Sequence, residues 1–291
     1  MEIDECLSWH GGFMSYRLLV AEFGRGDVRA ALRQGRIVRV GRGSYGLPGG
    51  PEARAAARRL AGVLSHTSAA IEHGWPVKVL PRQPHVTVPR HRTVAAGRRR
   101  QVTVHYADVR TDGLVTTPAQ TVVDCARALP FDEALCIADS ALRSGMVTAA
   151  ELEAAALAAP RTGRSRAIRV VTAADARAAN PFESVIRAIS LEFPQLNLEP
   201  QVQIAGLGRP DLHDRRLGLV VECDSFRFHA SRAALVHDIE RYNECAQRSL
   251  SLLRFAWEHS MLRQDYVREQ FSTWLVAHGL SVQRPVRPTP A

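Results

Sequence analysis

Apolar and polar positions change period several times along the chain, and each change predicts an element. "SYRLLVAEF" has helical spacing, and "GDVRAALRQG" predicts a second helix with Asp27 as N-cap and Gly35 as its stop. The stretch "RIVRVGRGSYGLP" then alternates through Val38, Val40, Tyr45 and Leu47 across Gly41 and Gly43, the pattern of a hairpin. Helix, helix, hairpin is the order of a winged helix-turn-helix over residues 1–50.

Residues 51–175 read as an α+β middle. The run "PEARAAARRLAGVLSHTSAAIEHGW" is alanine- and arginine-rich and predicts helix, while "PHVTVP" and "RQVTVHYAD" alternate like strands. "PAQTVVDCARALPFDEALCIADSALRSGMVTAAELEAAALAA" predicts two or three helices punctuated by Pro130 and Gly145. His66, His73, His85 and His105 are scattered here without a metal-ligand spacing, and those in the strands sit beside β-branched residues. They read as structural or surface histidines.

The pattern changes again near residue 176. "NPFESVIRAISLEF" predicts a helix capped by Asn180, with Pro181 at its first position and an apolar stripe of Phe182, Val185, Ile186, Ile189 and Phe193. "LEPQVQIAG" (Leu198, Val202, Ile204), "GRPDLHD" and "LGLVVECD" predict three strands whose tight links make them antiparallel. The helix "SRAALVHDIERYNECAQRS", the strand "SLSLLRFAW" and an amphipathic helix through Met261, Leu262, Tyr266, Phe271, Trp274 and Leu275 follow. The domain reading is therefore 1–50, 51–175 and 176–280, with a disordered tail at 281–291.

Charge narrows the partner class. The net charge is +9, and the single lysine, Lys78, leaves arginine to supply the rest. Arginine suits bidentate phosphate contacts, so a polyanion such as DNA is the expected partner, although a genome-wide arginine bias would give the same count. Arg25, Arg29, Arg33 and Arg36 line one side of the second helix, and Arg39 and Arg42 lie on the hairpin. Groove and flanking-phosphate contacts are their expected role; a solvated arginine face is the alternative.

Other classes recede. No apolar run approaches the roughly 18 residues of a membrane span, and the start lacks a basic region followed by an apolar one, so a cytoplasmic protein is expected. Five widely spaced cysteines without a CxxC pair indicate neither a disulfide framework nor a thiolate zinc site.

The chemistry gathers around the strand "LGLVVECD". Buried carboxylates are costly without a cation, and Asp211 and Glu222 fall near the open end of neighbouring predicted strands, with helical Glu183 able to close a triangle. Three such groups make a hard-oxygen site suited to Mg²⁺ or Mn²⁺, ions that stabilise charge on a phosphodiester and activate water. A plainer role stands beside each. Glu183 could complete a capping box, Asp211 and Asp214 could be turn residues, Asp224 could pair with Arg227 or Arg241, and His229 could start a helix.

The order Glu183, Asp211, Glu222 resembles the PD-(D/E)xK nuclease core. "VVECDSFRFH…HDIERYNECAQRSLSLLRFAWE" is similar, more narrowly, to the very-short-patch-repair (Vsr-like) endonucleases, with E-x-D-(G)-x-x-x-H, then D-x-x-R, then L-R-F, over roughly residues 180–278. The resemblance implies Asp211 and Glu222 as metal ligands, with the Cys223 carbonyl or Asp224 assisting. It implies His229 as proton donor or acceptor, and Asp238 with Arg241 as a supporting pair. Ser225 stands where glycine is usual, and Asp224 where the general motif has lysine. Over about residues 8–175, "GGFMSYRLL", "LRQGRIVRVGRGSYGLP", "LSHTSAAIEHG" and "TTPAQTVVDCARALP" resemble the AbiEi family of winged-helix antitoxins. That likeness implies promoter binding, autorepression and a nucleotidyltransferase toxin as the partner to be antagonised.

The sequence thus predicts an α+β, α/β multidomain protein: an N-terminal winged helix-turn-helix, a central α+β domain and a C-terminal restriction-endonuclease-like (Vsr-like) domain. The expected function is metal-dependent DNA endonuclease, in defence or repair; a transcriptional regulator with a silent nuclease fold is the alternative.

Overall fold

The computed structural model describes residues 2–9, 13–41, 44–47, 50–224 and 232–282. It is a mixed helix-and-strand protein in which residues 1–176 and 177–291 form two compact units. The segments 1–50 and 51–175 belong together to the first.

The first unit opens with α1 (Ile3–Trp9), β1 (Phe13–Ser15), α2 (Tyr16–Arg33), β2 (Val38–Gly41) and β3 (Ser44–Gly46). The strands form an antiparallel sheet in the order β1-β3-β2. Neither α1 nor β1 was expected from the sequence. Ser15 caps α2 by accepting from the Leu18 N–H at 3.3 Å. α2 is two helices broken at Gly24, whose φ of 77° and ψ of 159° suit glycine and stop the first half. The break therefore lies three residues before Asp27, which sits inside the second half rather than capping it. Gly35, at φ 70°, does end that half: its N–H reaches the Leu32 carbonyl while the Arg36 N–H reaches that of Ala31. Ile3, Leu7, Leu19, Val28, Ala31 and Ile37 close the core of this part.

Next come α3 (Gly50–Leu60), β4 (Val63–Leu64), α4 (His66–Glu72), β5 (His85–Val88), β6 (Thr103–Tyr106), β7 (Thr111–Asp112) and β8 (Val115–Thr116). The stretch expected to be one helix is thus split by β4, because Ala61 and Gly62 turn the chain into the sheet. A Cβ on Gly62 would lie 2.6 Å from the Thr87 carbonyl oxygen, so only glycine fits there. The sheet order is β6-β5-β4-β8-β7, with β5–β6 and β4–β8 parallel. Val86 and Val88 of β5 pack with Ala53, Ala57 and Leu60 of α3. Alternation sends His85 and Thr87 to the opposite face.

The unit ends in α5 (Pro118–Ala128), α6 (Phe131–Arg143), α7 (Ala149–Ala158) and α8 (Arg164–Ala173), the last unanticipated. They bury Val122, Leu152, Ala167 and Val170 against α4. Pro130 and Gly145 punctuate α6 as expected. Thr148 and Glu151 form a reciprocal capping box at α7.

The second unit contains α9 (Pro181–Ser190), β9 (Glu199–Pro200), β10 (Leu212–Asp214), β11 (Leu219–Asp224), α10 (Arg232–Gln247), β12 (Ser251–Ala256), α11 (Trp257–Met261) and α12 (Gln264–Ala277). Its sheet runs β12-β11-β10-β9, antiparallel except for the parallel pair β11–β12. The strand expected over Leu198, Val202 and Ile204 shrinks to Glu199–Pro200; Ile204 instead makes a single bridge to Gly208. The last amphipathic helix is two helices meeting at Leu262 and Arg263, which explains why Leu262 is 69% exposed. Among the described residues no helix is long and apolar enough to cross a membrane.

Val220 and Cys245 share a small cluster on the face covered by α10, so by alternation Val221 faces the other way. Phe255 of β12 is 1% exposed and meets Phe271 edge-on at 5.5 Å, and Phe271 in turn meets Phe193 at 5.9 Å. Phe255→Ala should cost about 3–5 kcal/mol through lost burial and a cavity. Urea unfolding with hydrogen exchange at β11 and β12 checks it; a loss under about 1 kcal/mol would mean the aromatic cluster does not hold this sheet together.

Candidate functional site

Asn180 caps α9, and the Glu183 carboxylate reaches back to the residue before the cap. The Glu183 N–H donates to Asn180 Oδ1 at 3.0 Å, while Glu183 Oε2 accepts from the Ala179 N–H at 2.8 Å. The expected capping box with Asn180 is thus only half formed, and the Glu183 carboxylate has a further partner. Gln201 Nε2 donates both to Glu183 Oε2, at 3.2 Å, and to Asp211 Oδ1, at 3.1 Å, tying the two carboxylates together. Gln201 holds a left-handed φ of 55°, and its N–H donates to the Asp211 carbonyl. Backbone strain of this kind persists where the surroundings fix it.

Asp211 stands one residue before β10, and its Oδ2 accepts from the Cys223 N–H of β11 at 2.8 Å. Asp214 by contrast is a turn residue. Its buried carboxylate accepts from the N–H groups of Asn197, Arg216 and Leu217 and so shapes the β10–β11 link.

Glu222 is 9% exposed and lies close enough to Asp211 for the two charges to act on each other. Burial, then the Asp211 charge, push the Glu222 carboxyl up to about 8 against the pull of Arg241. Burial also raises Asp211, opposed by the Cys223 N–H, Gln201 and Arg241. Arg241 Nη2 lies 2.6 Å from Glu222 Oε1, a charge contact without hydrogen-bond alignment.

The other predicted residues divide. Asp224 is gripped by the Arg254 guanidinium, Nη2 to Oδ1 at 2.6 Å and Nε to Oδ2, and Arg254 Nη1 donates to Tyr242 Oη at 2.8 Å. Arg254, which was not among the partners expected from the sequence, is thus a partner of Asp224, and Arg227 lies outside the described residues. Asp238 is on α10, with its side chain outside the described residues, and Arg241 reaches Glu222 from the same helix. His229 and Arg42 lie outside the described residues. Gln201 and Arg254 were not anticipated as members of this site, although the "LRF" strand contains Arg254, the register partner of Glu222.

Asp211, Glu222 and the Cys223 carbonyl are hard oxygen donors of the kind Mg²⁺ or Mn²⁺ prefers. By chemistry these donors fit such an ion, while Glu183 does not close the expected triangle: among the described residues no three of these carboxylates come within ligand spacing of one another. Arg241 opposes the rise of the Glu222 carboxyl without cancelling it.

On the first unit, Arg25, Arg29 and Arg33 are exposed at steps of four along the second half of α2, and Arg39 is exposed on β2. Arg36 is placed otherwise: its Nη1 meets Glu2 at 2.6 Å and Asp4 at 3.2 Å, which engages it with the α1 end. Of the four middle histidines, His73 bonds to the Thr116 carbonyl and Thr121. His66, His85 and His105 come together, with a ring nitrogen of each within 4.8 Å of the others. The expectation of scattered histidines is corrected by the strand register, which a linear spacing rule does not contain.

No protein-family model matches the chain. It is similar to the uncharacterized proteins Rv2248 and MT2308 of Mycobacterium tuberculosis, strains H37Rv and CDC 1551, each 34% identical over 134 residues. The match covers 44% of this chain and 49% of the relative, so the chain spans about half the length of the curated relatives it matches. A solved structure, that of the RV2827C protein from M. tuberculosis, aligns over 59% of this chain and 75% of its own at 15% identity. The TM-score of that alignment is 0.33.

Proposed function

We propose that the protein binds DNA through its first unit and hydrolyses a phosphodiester through a divalent-cation site in its second. The single observation that carries the reading is the buried pair Asp211 and Glu222 on neighbouring strand ends, with Gln201 joining Asp211 to Glu183. The element order α9, β9-β10-β11, α10, β12, with β12 parallel to β11, supports a nuclease core of the PD-(D/E)xK class and its Vsr-like branch. The order α1, β1, broken α2, β2, β3 and the sheet β1-β3-β2 support a winged helix of the AbiEi-like kind.

Asp211, Glu222 and the Cys223 carbonyl would hold Mg²⁺ or Mn²⁺, which supplies charge stabilisation and an activated water. Gln201 fixes the Asp211 carboxylate, the Cys223 N–H orients its second oxygen, and Arg241 sets the charge around Glu222. Arg241 also favours a second reading, an antitoxin-like transcriptional regulator of a toxin–antitoxin pair. A guanidinium already meets the carboxylate that a metal would need.

The two readings separate on duplex, mismatched and single-stranded DNA incubated with Mg²⁺, Mn²⁺ or EDTA. Cutting that requires the cation is expected; binding without cutting on every substrate overturns the nuclease and leaves the regulator. For the DNA surface, Arg29→Ala and Arg33→Ala should each weaken binding and reduce the slope of log affinity against log salt by about 1. Arg36→Ala should leave that slope unchanged, because Glu2 and Asp4 already hold the side chain. Equal losses from all three would mean that charge alone, and not this helix face, meets DNA.

A further inference from the structure

The geometry points to a second metal site, in the first unit: His66, His85 and His105 bind one divalent transition-metal ion of the Zn²⁺ class. It is independent of the acidic site in residues and in chemistry, since three imidazoles select a borderline ion where carboxylates select Mg²⁺.

The fold assembles the three rings from neighbouring strands. β6, β5 and β4 are adjacent, Thr87 pairs with His105, and alternation puts His85, Thr87 and His105 on the sheet face opposite the valine core. His66 is the first residue of α4, directly after β4. The Ser65 N–H donates to the His85 carbonyl at 3.1 Å and the His85 N–H to Ser68 Oγ at 2.9 Å, so the α4 start is fastened to β5 on both sides of His66. His66 itself takes a φ of 52°, a costly conformation for a residue with a Cβ, and the fastening holds it there.

The nitrogen positions approach those of a tetrahedral site. Ligand nitrogens about 2.0–2.1 Å from Zn²⁺ lie about 3.3 Å apart. His85 Nδ1 and His105 Nε2 are 3.0 Å apart, and a His66 nitrogen is within 4.8 Å of both, so a bound ion would draw the His66 ring inward from its stack on His105. The surrounding groups match what a metal-binding histidine requires. His66 Nδ1 lies 3.0 Å from Ser65 Oγ, which already accepts a hydrogen bond from Thr87 Oγ1 at 2.7 Å. A Nδ1–H tautomer donating to that hydroxyl leaves Nε2 with its lone pair for a cation. Arg127 is a cation whose charge reaches His66. Three protein ligands leave the fourth position open for water or an external group.

The full-length protein, stripped with a chelator and dialysed, is titrated with Zn²⁺ by calorimetry and with Co²⁺ by absorption. One equivalent is expected, with the visible bands of tetrahedral Co²⁺. His85→Gln and His105→Gln should lose the binding while circular dichroism stays native, and Ser65→Ala should weaken it by about 10–100-fold. Asp211→Asn should leave it intact, so failure here and failure of the nuclease reading are read separately. The proposal is overturned if folded wild-type protein takes up no Zn²⁺ or Co²⁺, or if both glutamine variants bind as wild type does. In the first case the three rings are a hydrogen-bonded cluster alone.

Discussion

Asp211→Asn is expected to lower cation-dependent cleavage by roughly 10²–10³-fold or more while DNA affinity stays at the wild-type level. Asparagine is the informative substitution because of what Asp211 touches. One of its oxygens accepts from Gln201 and the other from the Cys223 N–H. Alanine would remove both acceptors and leave a part-buried backbone N–H at the end of β11 unpaired, at a cost of about 1–3 kcal/mol. A cleavage defect in the alanine variant would therefore mix lost chemistry with a loosened sheet. Asparagine keeps the shape and one oxygen for the Cys223 N–H, removes the charge, and exchanges the oxygen that accepts from Gln201 for an amide N–H, a smaller disturbance than alanine makes. Glu222→Gln does the same on the neighbouring strand. If both variants still cut DNA at the wild-type rate with Mg²⁺, these carboxylates hold no catalytic metal and the nuclease assignment fails.

Local chemistry made some elements legible from the chain alone. Asn180, Pro181 and Glu183 announce α9 within four residues, and the apolar run before Glu222 announces β11, because caps and burial patterns are written in neighbouring positions. Elements decided by distant partners were not legible. β4 has only Val63 and Leu64, set in an alanine- and arginine-rich run with strong helix propensity, and its strand state comes from pairing with β5 and β8. The break in α2 follows Gly24 and not the better cap residue Asp27, because a φ of 77° interrupts the helix before Asp27 can cap it.

The candidate site divides along the same line. Asp211 and Glu222 could be placed on adjacent strands because a turn of a few residues fixes their register. Arg254 on Asp224 depends on a parallel pairing that spans the whole of α10, and Gln201 depends on a left-handed residue outside any strand. The histidines are the extreme case. His85 and His105 are 20 residues apart in sequence and 3.0 Å apart through their ring nitrogens, a meeting that only the β5–β6 register produces.

The second large effect joins the electrostatics of Glu222 to the cation. Its folded carboxyl sits at about 8 against an ordinary value of 4.5, because burial and Asp211 outweigh Arg241. A carboxyl raised on folding contributes stability that is fully present below about pH 4.5 and is lost as pH rises through about 8. In EDTA, wild-type protein should therefore lose stability over that window by a few kcal/mol relative to Glu222→Gln, one pKa unit being worth about 1.4 kcal/mol. The comparison with the variant matters because His66 and His85, lowered to about 2 and about 4 by burial, work in the opposite sense. Their contribution is complete above about 6.5 and fades as pH falls. It is common to both proteins and cancels in the difference. Saturating Mg²⁺ or Mn²⁺ should then flatten the wild-type curve, since a cation on Asp211 and Glu222 favours the ionised carboxylate, and should leave Glu222→Gln unmoved. Denaturant midpoints at pH 5, 6, 7 and 8, with and without the ion, read this directly and need no cleavage assay. A wild-type slope indifferent to both ions would mean that Arg241 is the only cation Glu222 meets, and the second unit would then stand as the scaffold of a regulator.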